Sequence, residues 1–337
     1  MQVKISQAAS MISAFLQARL VPMLVGSPGM GKSQLYQQIA DQYNLLLIDV
    51  RLGQCDVTDL CGFPTIKGSK AGYVPMETFP IEGDAIPEGY SGWLVLFDEL
   101  SSAPPALQAA AYKILLDRKV GVHNLHKNVA LCAAGNLETD SAVVHPMSTA
   151  LQSRLVHIEL IVDPKEWTDW AIAKGLDYRI TSYINFKPDN LYTFKADHTD
   201  STYASPRTWE FADRVLKVTD EDNPDRLPML SGTLSEGVAR EFMGFCKIHK
   251  DLPTISQIIT SPESIRVPDE PSILFALTGA IGHNASVDNF SQMIKYVNRL
   301  PSEFQVVALR ETTRRNKAMM GHPAVHSWLN TNKEVFF

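Results

Sequence analysis

The first half of the chain alternates apolar runs with amphipathic segments, a pattern that predicts an α/β fold. Residues 5–19 and 33–43 repeat apolar side chains at a helical period, and a further helix is predicted over about 103–118, capped by Ser101 or Ser102. The almost continuously apolar runs are residues 20–25, 45–50, 93–97, 129–134 and 156–160. Such runs are typical of strands covered on both faces, so we expect a parallel sheet flanked by helices.

After Asp163-Pro164 the pattern becomes mostly helical. A proline-rich stretch from Leu252 to Pro271 precedes further helices, which we expect to reach about residue 316. This predicts an α/β core over 1–162, a smaller helical region over 163–250 and a helical C-terminal extension over 251–337. The large apolar residues expected to form the core of the helical region are Trp167, Trp170, Trp209, Phe211, Val215, Phe242 and Phe245.

A glycine-rich segment lies between the first apolar run and the second helix, and it fits the phosphate-binding pattern G-x-x-x-x-G-K-[ST]. Glycines let backbone N–H groups surround phosphate oxygens, and the helix that follows adds its positive N-terminal end. Lys32 is expected to reach the β- and γ-phosphates, and Ser33 to ligate magnesium. The residues predicted to contact the nucleotide are Gly26, Ser27, Pro28, Gly29, Met30, Gly31, Lys32, Ser33 and Gln34.

The third apolar run ends in two carboxylates, Asp98 and Glu99. Beside a phosphate loop, Asp98 is expected to hold magnesium through water and Glu99 to act as the general base on the attacking water. The plainer alternative is an acidic strand end that faces solvent.

Three further polar residues are candidates for the same reaction. Asn136 follows the fourth apolar run, where its amide is expected to orient the water; an ordinary turn asparagine is the alternative. Arg154 precedes the fifth run and Arg207 begins a later helix. Either guanidinium could stabilise charge on a transferring phosphoryl group, although most arginines are simply solvated.

The order of these residues resembles the AAA+ ATPases, and more narrowly the MoxR branch. The narrower resemblance rests on residues 97–108, which read FDELSSAPPALQ, on LDRKV at 116–120 and on AGN at 134–136. It covers roughly residues 20–210. Residues 235–285 resemble a C-terminal extension of some bacterial and phage relatives.

The resemblance implies an AAA+ P-loop NTPase core with an αβα sandwich, followed by a helical lid. It implies that Asn136 is the first sensor, that Arg154 is the arginine finger acting on a neighbouring subunit, and that Arg207 is the second sensor. It also implies ATP and Mg²⁺ as cofactors, a ring that is a hexamer, and a protein partner with a von Willebrand A-like domain. One departure is Gln152-Ser153-Arg154-Leu155, where the family often has Gln-x-Asp-Arg-Phe.

Residues 53–92 occupy the position of the family's insertion. Within them, residues 64–75 predict a hairpin with a glycine-rich tip, and the segment after Gly121 leaves room only for a small one. In related rings such inserts face the pore or the partner; an ordinary surface hairpin is the alternative.

Charge and composition limit the function classes. The 337-residue chain has a net charge of -6, which argues against general binding to a phosphate backbone as its main role. A basic cluster near the C-terminus leaves a motor or loader acting on nucleic acid as the alternative, with a solvated helix face as the plainer interpretation. Its members are Arg310, Arg314, Arg315 and Lys317.

A nucleotide-dependent switch or a small-molecule kinase is a third hypothesis. A switch GTPase should carry Asn-Lys-x-Asp, but the pair Asn316-Lys317 has Met319 where the aspartate belongs.

The four cysteines, with Cys55 and Cys61 six apart, fit no common zinc spacing and predict reduced thiols. Without a signal peptide or a membrane span in the sequence, we expect a cytoplasmic protein of a bacterium or of a host cell.

Overall fold

The computed structural model describes residues 2–140, 145–248 and 252–332. The chain divides into two compact units. The first comprises Met1–Asp163 with Lys195–His198, and the second comprises Pro164–Phe194 with Thr199–Phe337.

The first unit is a mixed α/β structure. Its strands are β1 Gln2–Val3, β2 Val21–Val25, β3 Leu45–Arg51, β4 Phe63–Lys67, β5 Lys70–Val74, β6 Gly92–Asp98, β7 Lys119–Val120, β8 His123–Asn124, β9 Val129–Gly135 and β10 Leu155–Leu160. Its helices are α1 Ile5–Gln17, α2 Lys32–Gln42, α3 Val57–Cys61, α4 Pro105–Asp117 and α5 Thr149–Gln152.

Six strands form one parallel sheet in the order β1-β10-β2-β9-β6-β3. The five apolar runs of the sequence are five of these strands, so the predicted α/β class with a parallel sheet is confirmed. The edge strand β1 was not predicted, because two residues are too few to carry a pattern. The remaining strands form two antiparallel hairpins, β4–β5 and the small β7–β8, both of which the sequence predicted.

The connection that leaves β2 and the connection that leaves β9 run toward opposite edges of the sheet. From β2 the chain passes through α2 to the edge strand β3, and from β9 it returns past β2 to β10. Parallel crossovers are right-handed, so helices on these two connections cover opposite faces of the sheet. The carboxyl ends of β2 and β9 therefore bound a crevice of the kind in which open α/β sheets bind ligands.

Helix α4 begins differently from the prediction. Its N-cap is Pro104, with Pro105 in the first turn, where a missing N–H costs no hydrogen bond. Ser101 and Ser102 lie in a preceding 3₁₀ turn and do not cap the helix. Ser101 is instead buried against the residue that follows β9, and this places a polar side chain beside the crevice.

The second unit is helical. Its helices are α6 Pro164–Ala173, α7 Tyr178–Phe186, α8 Pro206–Val218, α9 Arg226–Leu234, α10 Glu236–Ile248, α11 Ile255–Thr260, α12 Pro271–Asn284, α13 Phe290–Val297, α14 Ser302–Arg315 and α15 Pro323–Thr331. Helix α15 extends the helical region beyond residue 316, where the prediction ended. None of the described helices in either unit is long and apolar enough to cross a membrane.

Most of the core predicted for the helical region over 163–250 is buried. Trp209 and Phe242 are fully enclosed, and Trp167 and Phe245 nearly so, whereas Trp170 and Val215 are half-buried. The prediction for Phe211 was wrong, since this side chain is 40% exposed. On α8 the buried positions follow the helical period through residues 209, 212 and 216, and residue 211 falls outside that stripe.

Candidate functional site

The glycine-rich segment forms a tight loop between β2 and α2. Gly29 and Gly31 have φ angles of +80° and +93°, a region in which a side chain would be strained. Gly31 is the N-cap of α2, so the first N–H groups of this helix face the loop. The segment thereby presents backbone donors and a positive helix end, the arrangement that binds phosphate.

Lys32 is the first residue of α2 and is 9% exposed. Its ammonium group donates to the carbonyls of Gly26 and Ser27 and to Oδ1 of Asn136, the last at 3.1 Å. A buried ammonium group requires such acceptors. Lys32 therefore joins the phosphate loop to the end of β9 across the crevice.

A hydrogen bond joins the side chains of Ser33 and Asp98. The Ser33 hydroxyl donates to Oδ2 of Asp98 at 2.7 Å, which joins the start of α2 to the end of β6. A hydroxyl and a carboxylate are hard oxygen ligands, and Mg²⁺ is usually held by one or two carboxylates together with substrate phosphates. The described residues contain no cluster of three or more acidic, histidine or cysteine side chains able to enclose a metal alone. This donor set fits Mg²⁺ bound together with a nucleotide.

Glu99 has an unusual backbone conformation at the end of β6. Its φ angle of +59° lies in the left-handed region, and its N–H donates to Oδ1 of Asp98 at 2.8 Å. A non-glycine residue in this region is uncommon and is often found at functional sites. The exposed carboxylate lies beside Gly53, where an added Cβ would stand 2.7 Å from Glu99 Oε2. Gly53 thus leaves the space in which the carboxylate sits.

The backbone of Asn136 is hydrogen-bonded to the Ser101 side chain. The N–H of Asn136 donates to Ser101 Oγ at 2.9 Å, and Ser101 Oγ lies 3.1 Å from the Asn136 carbonyl. The preceding Gly135 lets the two segments approach, because a Cβ there would stand 2.6 Å from Ser101 Oγ and 2.7 Å from Met23 Cε. The amide of Asn136 therefore has a fixed position beside Lys32.

The hydroxyl group of Tyr36 bridges β2 and β9, the strands that precede the glycine-rich loop and Asn136. Its hydroxyl lies 2.9 Å from the carbonyl of Ala133 on β9 and 3.2 Å from that of Pro22 on β2. Burial raises the pKa of Tyr36 well above its ordinary value, so the phenol keeps its proton as a donor. On β3, Arg51 Nε donates to Asp49 Oδ2 at 3.0 Å, and this hydrogen bond raises the pKa of Arg51, which is paired in register with Asp98.

Arg154 lies apart from the groups around Lys32. Its exposed guanidinium donates to the carbonyl of Ala150 and to Ser153 Oγ, at 3.1 and 2.8 Å, and stands over the ring of Tyr112. These are contacts within its own turn and with α4. The structure does not bring Arg154 to the phosphate loop of its own chain.

Arg207 belongs to the second unit. It lies in the first turn of α8 and is exposed, after a Ser205–Thr208 capping box that fixes the start of the helix. Its predicted role in the nucleotide site stays a prediction.

The sequence predictions did not assign three residues to this region: Gly53, Asp140 and Ser101, the last of which was predicted to cap a helix. Ser27 Oγ donates to Oδ1 of Asp140 at 2.8 Å, and both side chains are more than nine-tenths buried. Asp140 follows Asn136 by four positions in a polar segment, which suggests only a turn. None of the three signals its contacts in the sequence, because each partner is distant along the chain.

Comparisons with known proteins add little to this geometry. No family model and no curated protein matches the chain. Among solved structures, NtrX from Brucella abortus is 13% identical, with a TM-score of 0.42 over 97% of this chain and 67% of that one. NtrX in complex with ATP gives the same values. The RuvB Holliday junction branch migration motor of Thermotoga maritima is 15% identical, with a TM-score of 0.38 over 88% and 86%.

Proposed function

We propose that this chain is a magnesium-dependent ATPase of the AAA+ type that assembles into a ring and uses hydrolysis to remodel a protein partner. The observation that carries the proposal is the meeting of Lys32, Ser33, Asp98 and Asn136 at the carboxyl ends of β2, β6 and β9. These are the side chains that the binding of a triphosphate and its metal requires, on segments up to 104 residues apart.

In the proposed mechanism, residues 26–34 hold the triphosphate through backbone N–H groups. Lys32 moves from its carbonyl acceptors to the phosphates, which are stronger acceptors for an ammonium group. Ser33 and Asp98 would hold Mg²⁺, and the bound ion would neutralise charge on the phosphates. Asn136 orients a water molecule, and Glu99 takes a proton from it as its oxygen attacks the γ-phosphorus. The bond from that phosphorus to the bridging oxygen breaks, and ADP leaves with the electron pair. The exposed carboxylate and the anchored amide suit these two roles.

Arg154 is the proposed contribution of a neighbouring subunit. Among the described residues, its exposed guanidinium contacts its own turn and α4, so it is available to another surface. An arginine supplied in trans can raise turnover by about 10³-fold or more. We propose that Arg207 acts as the second sensor from the helical lid. We propose that the subunits form a ring with ATP at its interfaces, and that the ring is a hexamer, as the resemblance to the AAA+ ATPases implies.

A protein partner is favoured over nucleic acid by the state of the basic cluster. Arg314 is paired with Asp169, and Arg315 with Glu311, which leaves less free positive charge than the sequence suggested. The proposed partner carries a von Willebrand A-like domain, as in the MoxR branch, and the proposed location is the cytoplasm. The β4–β5 hairpin, with Phe63 63% and Ile66 83% exposed, is the proposed contact surface for it.

The test is the ATPase rate per subunit as a function of protein concentration. We expect the rate to rise cooperatively, and Lys32→Ala and Arg154→Ala to be inactive separately. Mixing the two variants should restore part of the activity, because Arg154 of one subunit completes the intact phosphate loop of another. A mixture of Lys32→Ala with Lys32→Ala,Arg154→Ala is the matched control and should stay inactive. A concentration-independent rate without restoration would refute the shared site.

A further inference from the structure

A buried hydrogen bond joins the phosphate loop to the segment that follows β9. Ser27, the second residue of the loop, donates through Oγ to Oδ1 of Asp140 at 2.8 Å. The two side chains are 6% and 8% exposed, respectively. Bonds to a carboxylate are stronger than those between neutral groups, and burial strengthens them further. The link is therefore a firm one between parts of the chain 113 residues apart.

The same carboxylate also fixes the turn that carries Asn136. Asp140 Oδ2 accepts from the N–H of Leu137 at 3.2 Å, and the N–H of Asp140 donates to the carbonyl of Leu137 at the same distance. Leu137 directly follows Asn136. One side chain thus holds the phosphate loop with one oxygen and the backbone beside Asn136 with the other.

The second link between these segments is of a different kind. Lys32 bonds to Oδ1 of Asn136, but in the proposed function Lys32 leaves its present acceptors for the phosphates. The link through Asp140 uses the Ser27 hydroxyl, whereas in the proposed function Ser27 binds the nucleotide through its backbone N–H. It is therefore able to persist while the Lys32 contact breaks.

We propose that Asp140 is a positioning residue, which keeps Asn136 in register with the phosphate loop when Lys32 turns to the nucleotide. This inference rests on the proposed ATPase function and deepens it. Asp140 acts through Ser27 and Asn136 and does not touch the nucleotide. Its removal should impair turnover much more than nucleotide binding.

The test compares kcat and the Kd for ADP in Asp140→Ala, Asp140→Asn and the control Thr139→Ala, whose exposed side chain lies in the same turn. We expect Asp140→Ala to lower kcat by about tenfold or more while the Kd stays within about threefold. Asparagine keeps one acceptor oxygen and gains a donor for Ser27 Oγ, so Asp140→Asn should recover most of the turnover. Thr139→Ala should match the wild type.

A double-mutant cycle with Asn136→Ala separates positioning from a merely structural role. If Asp140 acts through Asn136, adding Asp140→Ala to Asn136→Ala should lower kcat by less than about twofold more. Losses that multiply would overturn the inference, as would an Asp140→Ala variant with wild-type kcat. If Asp140→Ala does not fold, Ser27→Ala breaks the same bond from its other end, and the same cycle decides. A wild-type protein that hydrolyses no ATP would refute the proposed function and this inference with it.

Discussion

Lys32 and Arg154 differ in the burial of their charged groups and in how far along the chain the contacts of these groups reach. The ammonium group of Lys32 is buried and bonded to acceptors on two segments. The guanidinium of Arg154 is exposed, and its contacts among the described residues are with its own turn and Tyr112. Both residues were predicted to act on a nucleotide, Lys32 on that of its own chain and Arg154 on that of a neighbouring subunit, and only Lys32 lies among the other predicted site residues of its chain.

This difference indicates which properties each residue should control. A pre-assembled site has its donors in place before the ligand arrives, so its loss affects binding and turnover within a single chain. A residue held mainly by its own turn should affect neither the fold of the isolated chain nor its nucleotide binding, and in the proposed ring its effect should appear only on assembly. Four variants test the pre-assembled side of this comparison, in decreasing order of their expected consequences, and the mixing experiment proposed above tests Arg154.

Lys32→Ala should reduce ATP hydrolysis by about 10³-fold or more and weaken nucleotide binding strongly, because the β- and γ-phosphates lose their cation. Equilibrium binding of a fluorescent ATP analogue and steady-state hydrolysis measure the two effects. Lys119→Ala, an exposed lysine of the same unit, is the control and should change neither. Wild-type binding by Lys32→Ala would show that the loop does not hold the phosphates.

Glu99→Gln should lower kcat by about 10²- to 10⁴-fold, the range for loss of a general base, with ATP binding retained. The amide keeps the size of the side chain but cannot accept the proton from water. Glu88→Gln at an exposed position serves as the control. Equal turnover in Glu99→Gln and wild type would remove Glu99 from the mechanism.

Gly53→Ala should lower kcat by about 10- to 10²-fold without changing the Kd for ATP, because a misplaced catalytic group is costly. The new Cβ would stand 2.7 Å from Glu99 Oε2 and displace the carboxylate. In a Glu99→Gln background the same substitution should have little further effect. A full additional loss there would mean that Gly53 acts through another group.

Gly135→Ala should lower the free energy of unfolding by about 1–3 kcal/mol, the usual cost of overpacking. The added methyl would collide with Ser101 Oγ and Met23 Cε, and relieving the collision should also shift Asn136. Gly244→Ala on α10 is the matched control, since nothing lies within 4 Å of its Cβ position. It should stabilise the chain by about 0.5–1 kcal/mol, because glycine lowers helix stability relative to alanine. Urea denaturation distinguishes the two, and equal midpoints would contradict the packing described around Ser101.

Most strands of the sheet, and the chemistry at their ends, follow from the sequence alone. Continuous apolar runs predicted five strands of the sheet, because a strand covered on both faces needs no polar alternation. Lys32, Ser33, Asp98 and Asn136 were also predicted from the sequence to share one site, because their residue types and spacing suit phosphate and magnesium, and the structure brings them together. These features depend on neighbours along the chain, and a sequence reports such neighbours directly.

The order of the strands, and the contacts that cross between them, emerge only in the folded chain. The two-residue strand β1 carries no pattern, and Ser101 looked like a helix cap until the structure placed it against Asn136. Asp140 was not singled out in the sequence, and only folding brings it to Ser27, 113 positions away. Such contacts depend on how helices and strands pack. Packing depends on the side chains of the whole core, so a local pattern of residues does not reveal these contacts.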